Sequence, residues 1–327
     1  MAGTPVFALL YGKSPDYDDY LAIFDSDGNM IKEIQIDYGF GTYDQLCLDP
    51  QGNVYDATGG EKIRKYDKDL NLLLTQDRED PTYWIICMNM GPDGYLYTLT
   101  YDADWMRLQK RRISDLTIVD TCILDSYYDG LCITADGYLF TICDWGTNDD
   151  NICKIRFSDG TIVAKKYLED IEHCVAGIGV VGNNVYSAGG GIVEIDGIRA
   201  DGQYIDINLA GNFYRWRDGR RSFNYRVTAI GGTHMITAGW NDDNDSILRK
   251  YDDDRNVIWE IVFDNGAGNP WGIGAYNFEP SETAKTLTGT LTMSGGLTKK
   301  LKLLLIIRKI KMIFRGDRSE YDIELEK

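Results

Sequence analysis

The sequence predicts an all-β fold: a six-bladed β-propeller closed by its own first and last strands, followed by a β-rich C-terminal tail. Three observations predict it. A short strand motif recurs six times, a turn motif recurs in register with it, and complementary part-blades stand at the two ends of the repeat region.

The strand motif reads Val6-Phe7-Ala8-Leu9, Val54-Tyr55-Asp56-Ala57, Leu96-Tyr97-Thr98-Leu99, Leu139-Phe140-Thr141-Ile142, Val185-Tyr186-Ser187-Ala188 and Met235-Ile236-Thr237-Ala238. Self-similarity at a period of 42 to 50 residues is the mark of a repeat architecture. The turn motif is Asp27-Gly28, Asp69-Leu70, Asp115-Leu116, Asp159-Gly160, Asp201-Gly202 and Asp254-Arg255, each between two alternating runs. Asp-Gly between such runs signals a hairpin, because glycine reaches positive φ without a Cβ clash. Each unit then holds four short strands that cannot bury both faces alone, and radial stacking solves that problem. The N-terminal run begins at a second strand, while Trp271–Phe278 reads as a first strand with no second after it. Pairing the two completes the first blade.

Composition agrees. The 327 residues are 43% hydrophobic and 12% aromatic, with 35 Gly and 22 Tyr, and Val, Ile, Thr and Tyr recur in short runs. The net charge of −17 is uneven: from Thr283 onward ten Lys/Arg face five Asp/Glu, a net of +5, so the body carries −22. An acidic body argues against nucleic-acid binding, which relies on Lys and Arg. The N-terminus has no basic region followed by a long apolar run, so no secretory signal is expected. Leu303–Ile307, the longest apolar run, is too short to span a bilayer. Seven cysteines sit largely in strand-like runs and are expected as reduced thiols, with Cys143 and Cys153 the best disulfide candidates.

The stretch Asp129–Phe140, Asp-Gly-Leu-Cys-Ile-Thr-Ala-Asp-Gly-Tyr-Leu-Phe, resembles blades of NHL and gluconolactonase-like propellers over roughly residues 5 to 280. That resemblance implies a six-bladed ring. In the lactonases it also implies acidic and Asn metal ligands at the central pore, which find no residue-by-residue match here.

Strand order places two sets of loops on one rim. Second-to-third loops are acidic: Asp16–Asp19, Asp102–Asp104, Asn148–Asn151 with Asp149 and Asp150, and Asn241–Asp245 with Asp242 and Asp243. Between blades lie aromatic segments, among them Tyr83-Trp84 and Phe213–Trp216. Carboxylates beside flat rings suit sugars or protein partners, although Asp and Asn also make tight turns and aromatics also pack. Leu209–Tyr225 reads as a long insertion with Arg215, Arg217, Arg220 and Arg221 in an acidic body. It is the preferred docking loop, with Tyr214 and Trp216 as anchors and Arg217 beside them. Asp242, Asp243 and Asp245 offer hard oxygens for Ca²⁺ but lack EF-hand spacing; otherwise no cofactor is expected. His173 and His234 belong to no triad or metal pattern, and Gly177–Gly182 fits a dinucleotide fingerprint by letters but precedes a strand.

After residue 280 the texture changes, giving two domains: 1–280 as the propeller and 281–327 as a basic anchoring tail. Thr286–Leu297 alternates with period two, and Lys299–Arg315 carries seven positive charges and no acid. The Thr-Leu-Thr-Gly-Thr-Leu-Thr-Met-Ser-Gly text resembles tails of bacteriophage virion and appendage proteins. Leu303, Ile306, Ile310 and Ile313 are expected to enter a partner by strand pairing. The resulting reading is a non-enzymatic virion protein, made in the host cytoplasm, with a glycan or protein receptor on its rim and neither nucleic acid nor membrane as partner. A lactonase or glycan-cleaving enzyme and a cytoplasmic peptide-binding scaffold remain the alternatives.

Overall fold

The computed structural model describes residues 6–13, 18–36, 46–57, 59–102, 105–124, 129–133, 138–143, 151–167, 175–181, 184–189, 194–195, 198–199, 203–208, 213–217, 222–230, 234–241, 246–252, 256–263, 267–275, 285–292, 298–305, 309–312 and 323–326. Two compact units divide at Phe278/Glu279.

The first unit is an all-β propeller built from six four-stranded antiparallel sheets. The first sheet holds β1 (Phe7–Lys13), β2 (Asp18–Phe24) and β3 (Met30–Ile36), with β26 (Ala267–Ala275) hydrogen-bonded outside β1. The second runs β4 (Leu46–Leu48), β5 (Val54–Asp56), β6 (Lys62–Tyr66), β7 (Leu72–Asp77). The third runs β8 (Trp84–Met90), β9 (Tyr95–Tyr101), β10 (Met106–Arg112), β11 (Ile118–Leu124). The fourth runs β12 (Asp129–Ile133), β13 (Tyr138–Cys143), β14 (Asn151–Arg156), β15 (Ile162–Tyr167). The fifth runs β16 (Val175–Val181), β17 (Asn184–Gly189), β20 (Gln203–Asn208), β21 (Phe213–Arg217), with a small hairpin of β18 (Glu194–Ile195) and β19 (Ile198–Arg199) between its second and third strands. The sixth runs β22 (Ser222–Ile230), β23 (His234–Asn241), β24 (Ser246–Tyr251), β25 (Val257–Phe263). Side-chain packing is described for five of these sheets; in the fifth along the chain only the strands are described.

The motif aromatics Phe7, Tyr55, Tyr97 and Phe140 all fall on second strands, as the repeat requires. Closure is by the two ends of the unit: Phe7 faces Ala275 and Leu9 faces Ile273 across β1 and β26.

The inner strands read as continuous apolar runs because both their faces are covered. On β1, Phe7 and Leu9 join a cluster with Ile236 and Leu248 of the sixth sheet, while Ala8 and Leu10 join one with Leu46 and Val54 of the second. Tyr55, Ile63, Ile85 and Met88 continue the ring between the second and third sheets, and Leu99, Met106, Leu131 and Leu139 between the third and fourth. Each fully buried Leu, Ile or Phe contributes about 1.5–3 kcal/mol of transfer free energy. Outer strands alternate instead, leaving Leu72, Ile123 and Ile258 exposed.

Third strands carry a device that the sequence reading did not anticipate. Lys65, Lys110 and Lys154 stand opposite the motif aromatics Tyr55, Tyr97 and Phe140, with each ammonium 5.3, 5.7 and 5.6 Å from its ring. Two third-strand lysines reach into the next sheet. Lys65 Nζ donates to Ile113 O at 3.0 Å, and Lys250 Nζ to Ser26 O at 2.9 Å. Lys32, on an outer strand, does the same to Asp69 O.

Most turn acids serve the turns themselves. Asp25, Asp49 and Asp67 each accept from the backbone N–H two and four residues on, closing a D-x-x-x-N hairpin with Asn29, Asn53 and Asn71. Gly28 and Gly160 sit at φ +82° and +68°, and Leu70 and Leu116 hold the equivalent left-handed position at φ 56° and 60°. Both leucines are buried, so apolar packing offsets a backbone strain of about 1–2 kcal/mol.

One expectation needs correction. Leu209–Tyr225 is not an insertion loop: residues 213–217 form β21, the outermost strand of the fifth sheet, and 222–230 form β22. The error came from Asp201-Gly202, which separates the small β18–β19 hairpin from the third strand rather than the third from the fourth. Long runs with full ladders win the pairing over two-residue runs. As expected of a reduced thiol, buried Cys153 takes part in no disulfide, so it does not bridge to Cys143. Cys47, Cys87, Cys122 and Cys132 likewise take part in no disulfide. Among the described residues no helix is long and apolar enough to cross a membrane, a statement that does not reach β-barrels.

The second unit, 279–327, contains β27 (Lys285–Thr292) paired with β28 (Thr298–Leu305), and β29 (Lys309–Met312) paired with β30 (Ile323–Glu326). Register puts Leu287 opposite Leu303 and Thr288 opposite Lys302. In the second hairpin Lys309 and Lys311 stand opposite Glu326 and Glu324, with Ile310 opposite Leu325.

Candidate interaction surface

Second-to-third connections and sheet-to-sheet connections share one rim of the propeller, and its best-described sector lies between the second and third sheets. Trp84 opens β8, opposite Tyr101, whose other neighbour is Met106 at the start of β10. Gly60, in the connection from β5 to β6, accepts from Ile85 N at 2.9 Å through its carbonyl. A Cβ at Gly60 would stand 3.0 Å from the Trp84 ring, so its φ of +66° and its missing side chain together seat the indole.

Two guanidiniums cover aromatic faces here. Arg78 lies 4.6 Å from the Trp84 ring centre and Arg107 lies 4.3 Å from that of Tyr83. Each is also engaged by polar groups. Arg78 donates to Tyr83 O at 3.3 Å and pairs with Glu61 at 3.5 Å; Arg107 pairs with Asp102. Asp102 also accepts from Trp105 N at 2.7 Å, which fixes the start of the Trp105 segment. Asp80 accepts from both Thr82 N and Thr82 Oγ1, and these bonds, led by the backbone one, hold its pKa below the usual carboxylate value. Beside these pairs two indoles stand partly open: Trp105 is 53% and Trp84 39% exposed.

The rim loop is anchored from below. Arg111 on β10 is 1% exposed, and its guanidinium donates to Thr98 Oγ1 at 3.1 Å, Leu116 O at 3.3 Å and Gln109 Oε1. Its remaining partner is Glu79, at 2.7 Å, from the connection that carries Tyr83. Burial pulls the Arg111 pKa down from its ordinary value, and Glu79 opposes that shift.

The sequence-predicted residues fare unevenly. Tyr214, Trp216 and Arg217 lie on β21, an outer strand opposite Asp206, Tyr204 and Gln203, rather than on a rim loop. Asp149, Asp150, Asp242, Asp243 and Asp245, and with them the proposed Ca²⁺ loop, lie outside the described residues. Leu303 is on β28 and Ile310 on β29, while Ile306 and Ile313 lie outside the described residues. Asp102 and Tyr83, both from singled-out loops, are brought together through Arg107. Trp105 and the two arginines were missed; Trp105 directly follows the acidic Asp102–Asp104 segment, and that adjacency was the available signal. Among the described residues no group of three or more His, Cys, Asp or Glu is placed to hold a metal.

No protein-family model matches the chain, and no curated protein matches it. Solved structures do. A streptogramin B lyase is similar at TM-score 0.53 and 17% identity, over 84% of this chain and 89% of that one. A PQQ-bound aldose sugar dehydrogenase from Streptomyces coelicolor is similar at 0.52 and 14%, over 74% and 93%. The β-propeller domain of Cps50 (Swd1) from Myceliophteria thermophila is similar at 0.52 and 11%, over 85% and 91%. Identities this low show the fold alone. The chain is a β-propeller.

Proposed function

We propose that this protein is a non-enzymatic binding module: a six-bladed ring that recognises a partner at the rim around Trp84 and Trp105. One observation carries the reading. The polar groups of that rim are bonded to one another, through Arg78–Glu61, Arg107–Asp102 and Asp80–Thr82, and beside them the Trp84 and Trp105 indoles face solvent in part. Rigid, partly exposed Trp in a polar frame suits recognition, since Trp dominates binding hot spots. Residues 279–327 would tether the module to a larger assembly through the β27–β28 hairpin, because a two-stranded hairpin needs a surface to pack on. A bacteriophage virion is the setting that the tail's resemblance implies.

The test is a panel of immobilised glycans and peptides probed with wild type and with the Trp84→Ala/Trp105→Ala double variant. Wild type should give hits that the variant loses, with Tm unchanged within about 2 °C, as expected of surface changes. Hits that survive the double substitution, or a panel without hits, overturn the reading.

A further inference from the structure

We infer that the partner taken at this rim is a neutral carbohydrate chain, held through at least two linked sugar rings. The inference rests on the rim reading above and adds the chemistry of the occupant. An extended peptide is captured mainly through main-chain hydrogen bonds along an open strand edge. Backbone donors at this rim are spent within the protein: Ile85 N on Gly60 O, Tyr83 N on Asp80 O, Asp102 N on Trp105 O and Trp105 N on Asp102 Oδ1. What the rim offers a ligand is therefore mainly side chains.

Those side chains suit hydroxyls. Arg78 pairs with Glu61 and Arg107 with Asp102, so each pair is neutral as a unit. A guanidinium has more N–H donors than Arg78 spends on Tyr83 O and Glu61, or Arg107 on Asp102. The Glu61 side chain is 54% exposed and keeps lone pairs for a further donor. A hydroxyl both donates and accepts, so it can join such a pair without breaking it. A charged partner gains little where the charges already cancel. The indoles add a flat apolar surface on which the C–H face of a sugar ring can lie. Arg78 covers the Trp84 ring at 4.6 Å, so the more open Trp105 is the main platform and Trp84 a flanking wall. In the ladder Trp84 stands opposite Tyr101, and Tyr101 opposite Met106, the neighbour of Trp105. Two strand spacings, about 10 Å, separate the two stations, a span for linked rings rather than for one.

The experiment titrates the full chain with cellotetraose, maltotetraose and chitotetraose, and with their monosaccharides, read by tryptophan fluorescence and calorimetry. At least one tetrasaccharide should bind, and its monosaccharide should bind about tenfold more weakly or worse. Trp105→Ala should weaken the tetrasaccharide about tenfold, and Trp84→Ala by less. Raising salt from about 50 to 300 mM should change the affinity less than about twofold, since screening acts on charge and the ligand has none. The inference is overturned if none of these tetrasaccharides binds, if a monosaccharide binds as well, or if salt weakens binding severalfold. Should the panel above return Trp105-dependent peptides while the tetrasaccharides fail, the rim reading stands and the carbohydrate assignment falls. A tetrasaccharide whose affinity is unchanged by both Trp84→Ala and Trp105→Ala sinks the rim reading as well.

Discussion

Gly274→Ala probes the closest approach between neighbouring sheets. Gly274 lies on β26, opposite Ala8, and a Cβ there would stand 2.1 Å from Leu46 O and 2.7 Å from Cys47 N on β4. These are backbone atoms, so no rotamer change relieves the clash. Restoring ordinary contact at about 3.5 Å means moving β26 and β4 apart by more than an ångström, which also loosens Leu46 and Ile273 in their buried clusters. Overpacking of this kind costs about 1–3 kcal/mol, with a stiff backbone at the upper end. Against it, Gly→Ala lowers unfolded-chain entropy by about 0.4–1 kcal/mol. A net loss of about 2 kcal/mol should lower Tm by about 4 °C or more in a unit this large. Thermal and urea unfolding of Gly274→Ala would be compared with Gly59→Ala, where φ is +76° and no atom lies within 4 Å of the added Cβ. Equal or higher stability for Gly274→Ala would refute the close-approach argument.

Arg111→Met removes the guanidinium that joins Glu79, Thr98, Gln109 and Leu116 O beneath the rim. Leaving those groups short of a donor should cost about 2–3 kcal/mol in urea denaturation, below the cost of a fully buried pair because Glu79 is a third exposed. In acid, Asp25, Asp67, Asp115 and Asp159 all have depressed pKa values in the folded protein. Side-chain bonds lead for Asp25, Asp67 and Asp115 (to Asn29, Asn71 and Thr117), and the Thr161 backbone bond leads for Asp159. Their contribution is present above the ordinary carboxylate value and lost as pH falls through the folded one. Tm should therefore drop steeply below about pH 4, and Asp25→Asn with Asp67→Asn should flatten that drop.

Much of the propeller was legible in the sequence because its signals are local. The second-strand aromatics and the Asp-Gly turns are fixed by strand alternation and by positive φ, and each is read from a few consecutive residues. Asp201-Gly202 misled for the same reason: a turn signal says where the chain reverses, not which strands flank it. The rim was half legible. Tyr83, Trp84 and Asp102 stood out by composition and loop position. Arg111 and Glu79 did not, since an arginine among Gln109 and Arg112 reads as an exposed strand until the neighbouring sheet is laid against it. Lys65 and Lys110 hid likewise, because their partners, Ile113 O and the Phe157 ring, come from the next sheet.

Closure through β1 and β26 has a consequence for biosynthesis. Phe7 leaves the ribosome long before Ala275, its ladder partner, which must wait for nearly the whole unit to be made. Until then the first sheet lacks its innermost strand, and Phe7, Leu9 and Phe24 lack the sixth sheet that covers them. Bringing such distant segments together adds little equilibrium cost, since loop entropy grows only logarithmically with length, but it delays the final docking step. The waiting edge of β1 is a strand-pairing template throughout that interval. Chaperone attention and co-translational misassembly should therefore concentrate on the first sheet, even though in the finished ring it is among the most deeply buried.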